Sequence, residues 1–250
     1  MSPSLICLIA FLCIFGSALA GIVVKDRIPE HHLSGESKTI IEAARSVVIG
    51  LAALTLGLLI ATAKTSFDTK ESELKESAAR LIALNRLLLK DGSLSEKARA
   101  SLRQVASNSV AIIEKIGKEG MNHKAVTGEG VDNFVSALME LPEQNANQTW
   151  IKTTALSLGN EIALSRWKIY QSSASTVSPL FLSVLIFWLM TIFFSLGLIA
   201  PLNLIVISAL FTAALSMTGA ILLTLEMDQP YGGLIQLSTE PLRMALQQFR

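Results

Sequence analysis

The sequence predicts an all-α integral membrane protein, with four transmembrane helices as two hairpins and a cytosolic helical domain inserted between them. Three observations carry that prediction. Residues 177–199 and 202–225 are uncharged apolar runs parted only by Ala200 and Pro201. Each is long enough for one bilayer crossing of about 20 residues, and so short a linker forces an antiparallel hairpin. Two further uncharged runs, 5–24 and 47–63, stand early in the chain. Between the two pairs, Lys64 to Thr176 holds no run able to cross a membrane, and its apolar periodicity is helical almost throughout.

Composition agrees. The 250 residues are 51% hydrophobic and 16% charged, against about 25% charged in soluble domains. A formal net charge of +1 gives no global field for nucleic acid, so no nucleic-acid partner is expected. The organisation that follows is a first transmembrane hairpin at 1–64, a cytosolic helical domain at 65–176, a second hairpin at 177–226 and an amphipathic tail at 227–250.

In the first run, Ala18-Leu19-Ala20 before Gly21 would also fit a signal-peptidase site. Met1 to Ser4 brings no Lys or Arg, however, and the run exceeds a usual signal core, so it is read as the first crossing. Cys7 and Cys13, six positions apart on that helix, point in different directions, and no disulfide between them is expected. Pro29 and Gly35 break the polar loop that follows. His31 and His32 beside Glu30 and Glu36 suggest a metal, but adjacent histidines diverge and a further ligand would be needed; a solvated or interfacial loop is the reading.

Residues 37–46 look helical and lead into the second crossing, where Gly50, Ala53, Gly57 and Ala61 share one face. Helices in lipid lack a hydrophobic drive to associate, so small residues mark a close packing seam, or else a pore wall. Ala209, Ala213, Ser216 and Ala220 form a second such face in the fourth crossing.

In the inserted domain, Leu74, Ala78, Leu81, Leu84 and Leu88 stripe a helix ending at Asp91-Gly92. Ser93 to Glu96 reads as a capping box for the next helix, which Gly117 and Gly120 stop. A loop with a solvated His123 follows, then a short helix through Phe134 and Leu138 closed by Pro142. The last helix carries Trp150, Ile151, Leu158 and Ile162, and its pattern allows it to continue into the third crossing, with Pro179 in the entry turn. In the tail, Ser238 or Thr239 caps a helix with Pro241 in its first turn; Leu242, Leu246 and Phe249 line one side, suited to the membrane interface or the helical domain.

Lys64, Lys70, Lys75, Arg80, Arg166, Lys168 and Arg243 lie near membrane ends on the domain side, against Lys25, Arg27, Lys38 and Arg45 on the other. The bias places the N-terminus, the 65–176 domain and the C-terminus in the cytoplasm. Trp167, Tyr170 and Tyr231 would then form an aromatic belt at that interface. Glu226 and Asp228 stand at the inner mouth of the fourth crossing, where carboxylates need a partner or water. With Lys64, Arg166 and Lys168 at the same depth, they read as a structural ion pair or as an inner-mouth ion site. No nucleophile–base pair, phosphate loop or metal-ligand spacing is present, so neither an enzyme nor a cofactor is expected.

Taken together, the loop RIPEHHL, the crossing IGLAALTLGLLIATAK leading to SFDTKESELKESAARLIALNRLLL, and the closing LLTLEMDQPYGG resemble the bacterial bestrophin-like membrane protein family over nearly the whole chain. The most specific piece is Glu226, Asp228, Pro230 and Gly232. The resemblance implies four crossings, a cytosolic helical domain and a multi-pass protein of the bacterial inner membrane. Bestrophins are pentameric anion channels, so it also implies an oligomeric ion (anion) channel or passive transporter. The implied partners are the lipid bilayer, further copies of the chain and small inorganic ions. Where bestrophins carry a dense acidic calcium clasp after the last crossing, this chain has Glu226 and Asp228, and no counterpart of their aromatic neck stands out. The alternative is a membrane-anchored helical module that binds a partner or senses the membrane without transport.

Overall fold

In the computed structural model, residues 2–25, 27, 35–90, 92–119, 129–171, 177–233 and 235–249 are described. Their regular structure is helical, with no strand among the described residues: α1 (Pro3–Lys25), α2 (Gly35–Leu89), a 3₁₀ turn (Gly92–Ser95), α3 (Glu96–Glu119), α4 (Glu129–Met139), α5 (Ala146–Gln171), α6 (Pro179–Ile199), α7 (Leu204–Asp228) and α8 (Glu240–Gln247). Four helices, α1, α2, α6 and α7, contain a segment long and apolar enough to cross a membrane. The chain divides into two compact units, Met1–Ser66 with Ser175–Asp228, and Phe67–Ala174 with Gln229–Arg250.

The first unit is built on α1. Its buried line of Cys7, Ala10, Ile14, Ala18, Gly21 and Ile22 follows helical spacing. Contacts with α6 rise together along both chains: Ser17 Oγ donates to Met190 O at 3.0 Å, Gly21 meets Gly197, and Lys25 Nζ donates to Ala200 O at 2.9 Å. The two helices therefore run parallel. Contacts with α7 run the other way, since Phe11 and Phe15 meet the Phe211 ring edge-on while Glu226 lies within electrostatic range of Cys7. The start of α1, the start of α6 and the end of α7 thus share one end of the unit. Ala52, Leu59 and Ala63 bring one face of α2 into the same apolar cluster.

Helix α2 departs from the sequence reading, which separated the second crossing from the first domain helix. It is continuous because residues 64–75, though polar, contain neither Gly nor Pro. It closes at Gly92, whose φ of +67° is the left-handed conformation that glycine supplies at helix ends. Ser95 Oγ donates to Leu88 O at 2.6 Å and to Gly92 O at 3.0 Å, covering carbonyls that the helix end leaves open. Ser93, offered as a cap, has a side chain outside the described atoms. Gly117 lies inside α3 rather than ending it. Nor does α5 continue unbroken into the third crossing: α6 begins afresh at Pro179 behind an extended Ser178.

The second unit is a helical bundle around Leu74, Leu81, Leu84, Leu88, Leu102, Phe134, Leu138, Ile151 and Ile162, all buried. At Gly159, an added Cβ would stand 2.9 Å from Leu138 Cδ1, so α4 and α5 meet closely there. Arg80 on α2 reaches α5 through Glu161 at 3.0 Å and Ser165 Oγ at 2.7 Å. The tail is part of this bundle. Leu242 and Ala245 of α8 and Phe249 just after it are buried in its core, and Asn85 Nδ2 donates to Gln248 O at 3.0 Å. Ser238, rather than Thr239, supplies the side-chain oxygen at the start of α8, accepting from Glu240 N–H at 3.2 Å.

Candidate functional site

The two small-residue faces point away from the packing within their own chain. On α2 the packed positions are Ala52, Leu59 and Ala63, whereas Gly50, Ala53, Gly57 and Ala61 are exposed. At about 100° per residue these two sets stand on roughly opposite sides of the helix. A Cβ added at Gly50 or Gly57 would meet nothing within 4 Å. On α7 the buried positions include Leu210, Ala214, Thr218 and Ile221. Ala209, Ala213 and Ser216 are exposed and Ala220 is half-buried. Ser216 of that stripe, with Ser208 and Thr212 next to it, donates to the carbonyl four residues back, the three bonds being 2.9, 2.8 and 2.9 Å, so their hydrogens are satisfied within the helix.

The close seam inside the membrane unit uses different glycines. A Cβ on Gly21 would run into the Phe194 carbonyl oxygen and stand 3.1 Å from Gly197 Cα; one on Gly197 would run into Ala18 O and stand 3.0 Å from Ile22 N. Sequence reasoning missed both. The available signal was Ala18-Leu19-Ala20-Gly21, which has the same small residues as a peptidase site.

Glu226 and Asp228 are both buried, 3% and 1% exposed, so neither opens onto bulk water. Asp228 Oδ1 accepts from the Val177 N–H at 3.2 Å, which ties the end of α7 to the residues before α6. Lys64, in the same unit, exposes its side chain. Arg166 and Lys168 belong to the helical unit; Lys168 is exposed and the Arg166 side chain lies outside the described atoms. The aromatic belt needs one correction. Tyr231 is 7% exposed and packs in the core of the helical unit, because the chain folds into that unit directly after Asp228. The side chains of Trp167 and Tyr170, and residues His31, His32 and His123, lie outside the described atoms. Cys7 and Cys13 are free thiols.

A family model described as the Bestrophin-like domain matches residues 12–242. Among solved structures, the chain is similar to two crystal structures of a bacterial bestrophin homologue from Klebsiella pneumoniae. One carries an isoleucine-to-threonine mutation and matches at 12% identity over 97% of each chain, with a TM-score of 0.63. The other carries a leucine-to-threonine mutation and matches at 11% identity over 97% of each chain, with a TM-score of 0.57. No curated protein matches the chain by sequence.

Proposed function

The chain belongs to the bestrophin-like family, and from that premise we propose that it works as an oligomeric ion channel or passive transporter with anions as the permeant species. The observation that carries this reading is the state of α2. Only 11% of its apolar window is buried within the protomer, against 22–33% for the other three crossings, and its open face carries Gly50 and Gly57. A helix facing lipid alone has no use for glycine there. Small residues serve instead where copies of the chain approach closely or where a pathway needs width. None of the four apolar windows carries a central charge of the kind that couples ions in pumps, whereas a channel works with backbone dipoles and apolar constrictions.

In this reading, copies of the chain assemble in the bacterial cytoplasmic membrane with the N-terminus, the helical unit and the C-terminus on the cytoplasmic side. Within the membrane unit, Lys64 offers positive charge to anions at the inner mouth. The buried Glu226 and Asp228 shape that mouth rather than line it. The face of α7 with Ala209, Ala213, Ser216 and Ala220 is a second surface for a neighbouring copy. No catalytic step is involved.

The test is anion flux from proteoliposomes holding the purified full-length protein, with empty liposomes as control and salt and potential varied. Flux above control that changes in Gly57→Leu supports the channel. Absence of flux with several anions and cations, from folded protein, would leave the helical unit as the seat of function, as a membrane-anchored interaction or sensing module.

A further inference from the structure

The helical unit contains a pocket of about 380 Å³ between α3 and the segment that leads into α8. One side of it is apolar, made by Ile113 of α3 with Leu237 and Tyr231 of the tail. The other side carries two opposite charges. Arg243 Nη2 donates to Glu114 Oε1 at 2.5 Å, and the two side chains are 55% and 40% exposed. The hydrogen bond and charge of Glu114, with a smaller contribution from the charge of Glu240, raise the Arg243 pKa further above its already high ordinary value. The contact with Glu114 uses one N–H of a guanidinium that has five, and one oxygen of a carboxylate that has two. Thr239 lies in the same wall, and its hydroxyl makes no capping bond to α8.

The volume falls in the range of small-molecule sites, roughly 300–1,000 Å³. The charges choose the class of ligand. An anion drawn to Arg243 meets the carboxylate of Glu114, and a cation drawn to Glu114 meets the guanidinium. A molecule carrying both charges avoids either conflict. Its carboxylate takes the remaining edge of Arg243, its ammonium takes the second oxygen of Glu114, and the existing pair stays intact. Both new contacts are charge-assisted hydrogen bonds. An aliphatic or aromatic body then lies against Ile113, Leu237 and Tyr231.

We propose that this pocket binds a free apolar α-amino acid. The inference is independent of ion conduction, because the pocket is formed wholly within the helical unit and its test reads binding rather than flux.

The experiment is calorimetric titration of the purified full-length protein in detergent, with L-leucine and L-phenylalanine as probes. 4-Methylpentanoate, which lacks the ammonium, and isopentylamine, which lacks the carboxylate, serve as controls. Saturable binding of the amino acids is expected, with neither control binding. Arg243→Gln and Glu114→Gln should each weaken it by about tenfold or more, the loss expected for one charged hydrogen bond. Arg243→Lys keeps the charge and the ion pair and should retain measurable binding, which separates loss of a ligand contact from loss of fold. No saturable binding of either amino acid by folded protein overturns the proposal. So does equal binding of the anion or the amine alone, and so does undiminished binding by both glutamine variants.

Discussion

Gly21 and Gly197 meet backbone to backbone, and neither position has room for a methyl group. Because the obstacles are main-chain atoms of the opposite helix, no side-chain rotation relieves them. Gly197→Ala should therefore push α1 and α6 apart at the very site where Lys25 reaches Ala200 O. The expected cost is about 1–3 kcal/mol, the range for overpacking a tight core. Gly16→Ala is the control, since nothing stands within 4 Å of an added Cβ there. Thermal melting in detergent should lower the midpoint for Gly197→Ala and leave it near the parent value for Gly16→Ala. Equal melting of the two would remove Gly197 from the seam.

Gly57→Leu should behave in the opposite sense. It has free space around it within the protomer, so the isolated subunit should melt within about 0.5 kcal/mol of the parent, as surface substitutions do. The expected losses are in the assembled protein: a smaller particle by light scattering, or reduced anion flux from proteoliposomes. Unchanged size and unchanged flux would detach the α2 face from both assembly and conduction.

The four crossings were legible because each is an apolar run without charge, a property of local sequence. The continuity of α2 was not, because hydropathy changes at Lys64 while the backbone has no reason to break until Gly92. Helix continuity follows breakers rather than polarity, and the sequence offers none between Gly57 and Gly92. The glycine seam was illegible for a different reason. Gly21 and Gly197 are 176 positions apart, and pairing them requires knowing that α1 and α6 run side by side. The small faces of α2 and α7 were visible as patterns, but periodicity alone does not say whether a face is packed in its own subunit. For Glu226 and Asp228 the type and place were readable from the end of the run. Their burial was not, since it depends on what covers the end of α7.

Asp228 is a test of that burial. Asp228→Ala removes the acceptor for the Val177 N–H, which is itself buried. A hydrogen bond to a charged group contributes about 1.5–3 kcal/mol. Asp228→Asn keeps an oxygen of the same shape at that point and should recover most of the loss. Melting curves of the two variants, compared at one detergent concentration, check this. If alanine and asparagine destabilise equally, the charge of Asp228 matters more than its hydrogen bond to Val177.

The tail offers a contrast between core and surface within one unit. Phe249 is 7% exposed and packs in the bundle core beside Leu242 and Ala245. Its truncation to alanine should cost about 3 kcal/mol, the low end for a buried phenylalanine. Lys97 and Glu140 also join two elements of this unit, at 2.5 Å, but the side chains are 74% and 60% exposed. Solvent screens such a pair, and Lys97→Ala should cost less than about 1 kcal/mol. Limited proteolysis reads the difference directly. Phe249→Ala should undock α8 and speed cleavage between Gly233 and Glu240, while Lys97→Ala leaves that segment protected. Asn85→Ala should share the proteolytic phenotype, since it removes the hydrogen bond to Gln248 O that holds the end of α8. Were Lys97→Ala to expose the tail as readily as Phe249→Ala, α8 would be held by surface charge rather than by burial of its apolar side.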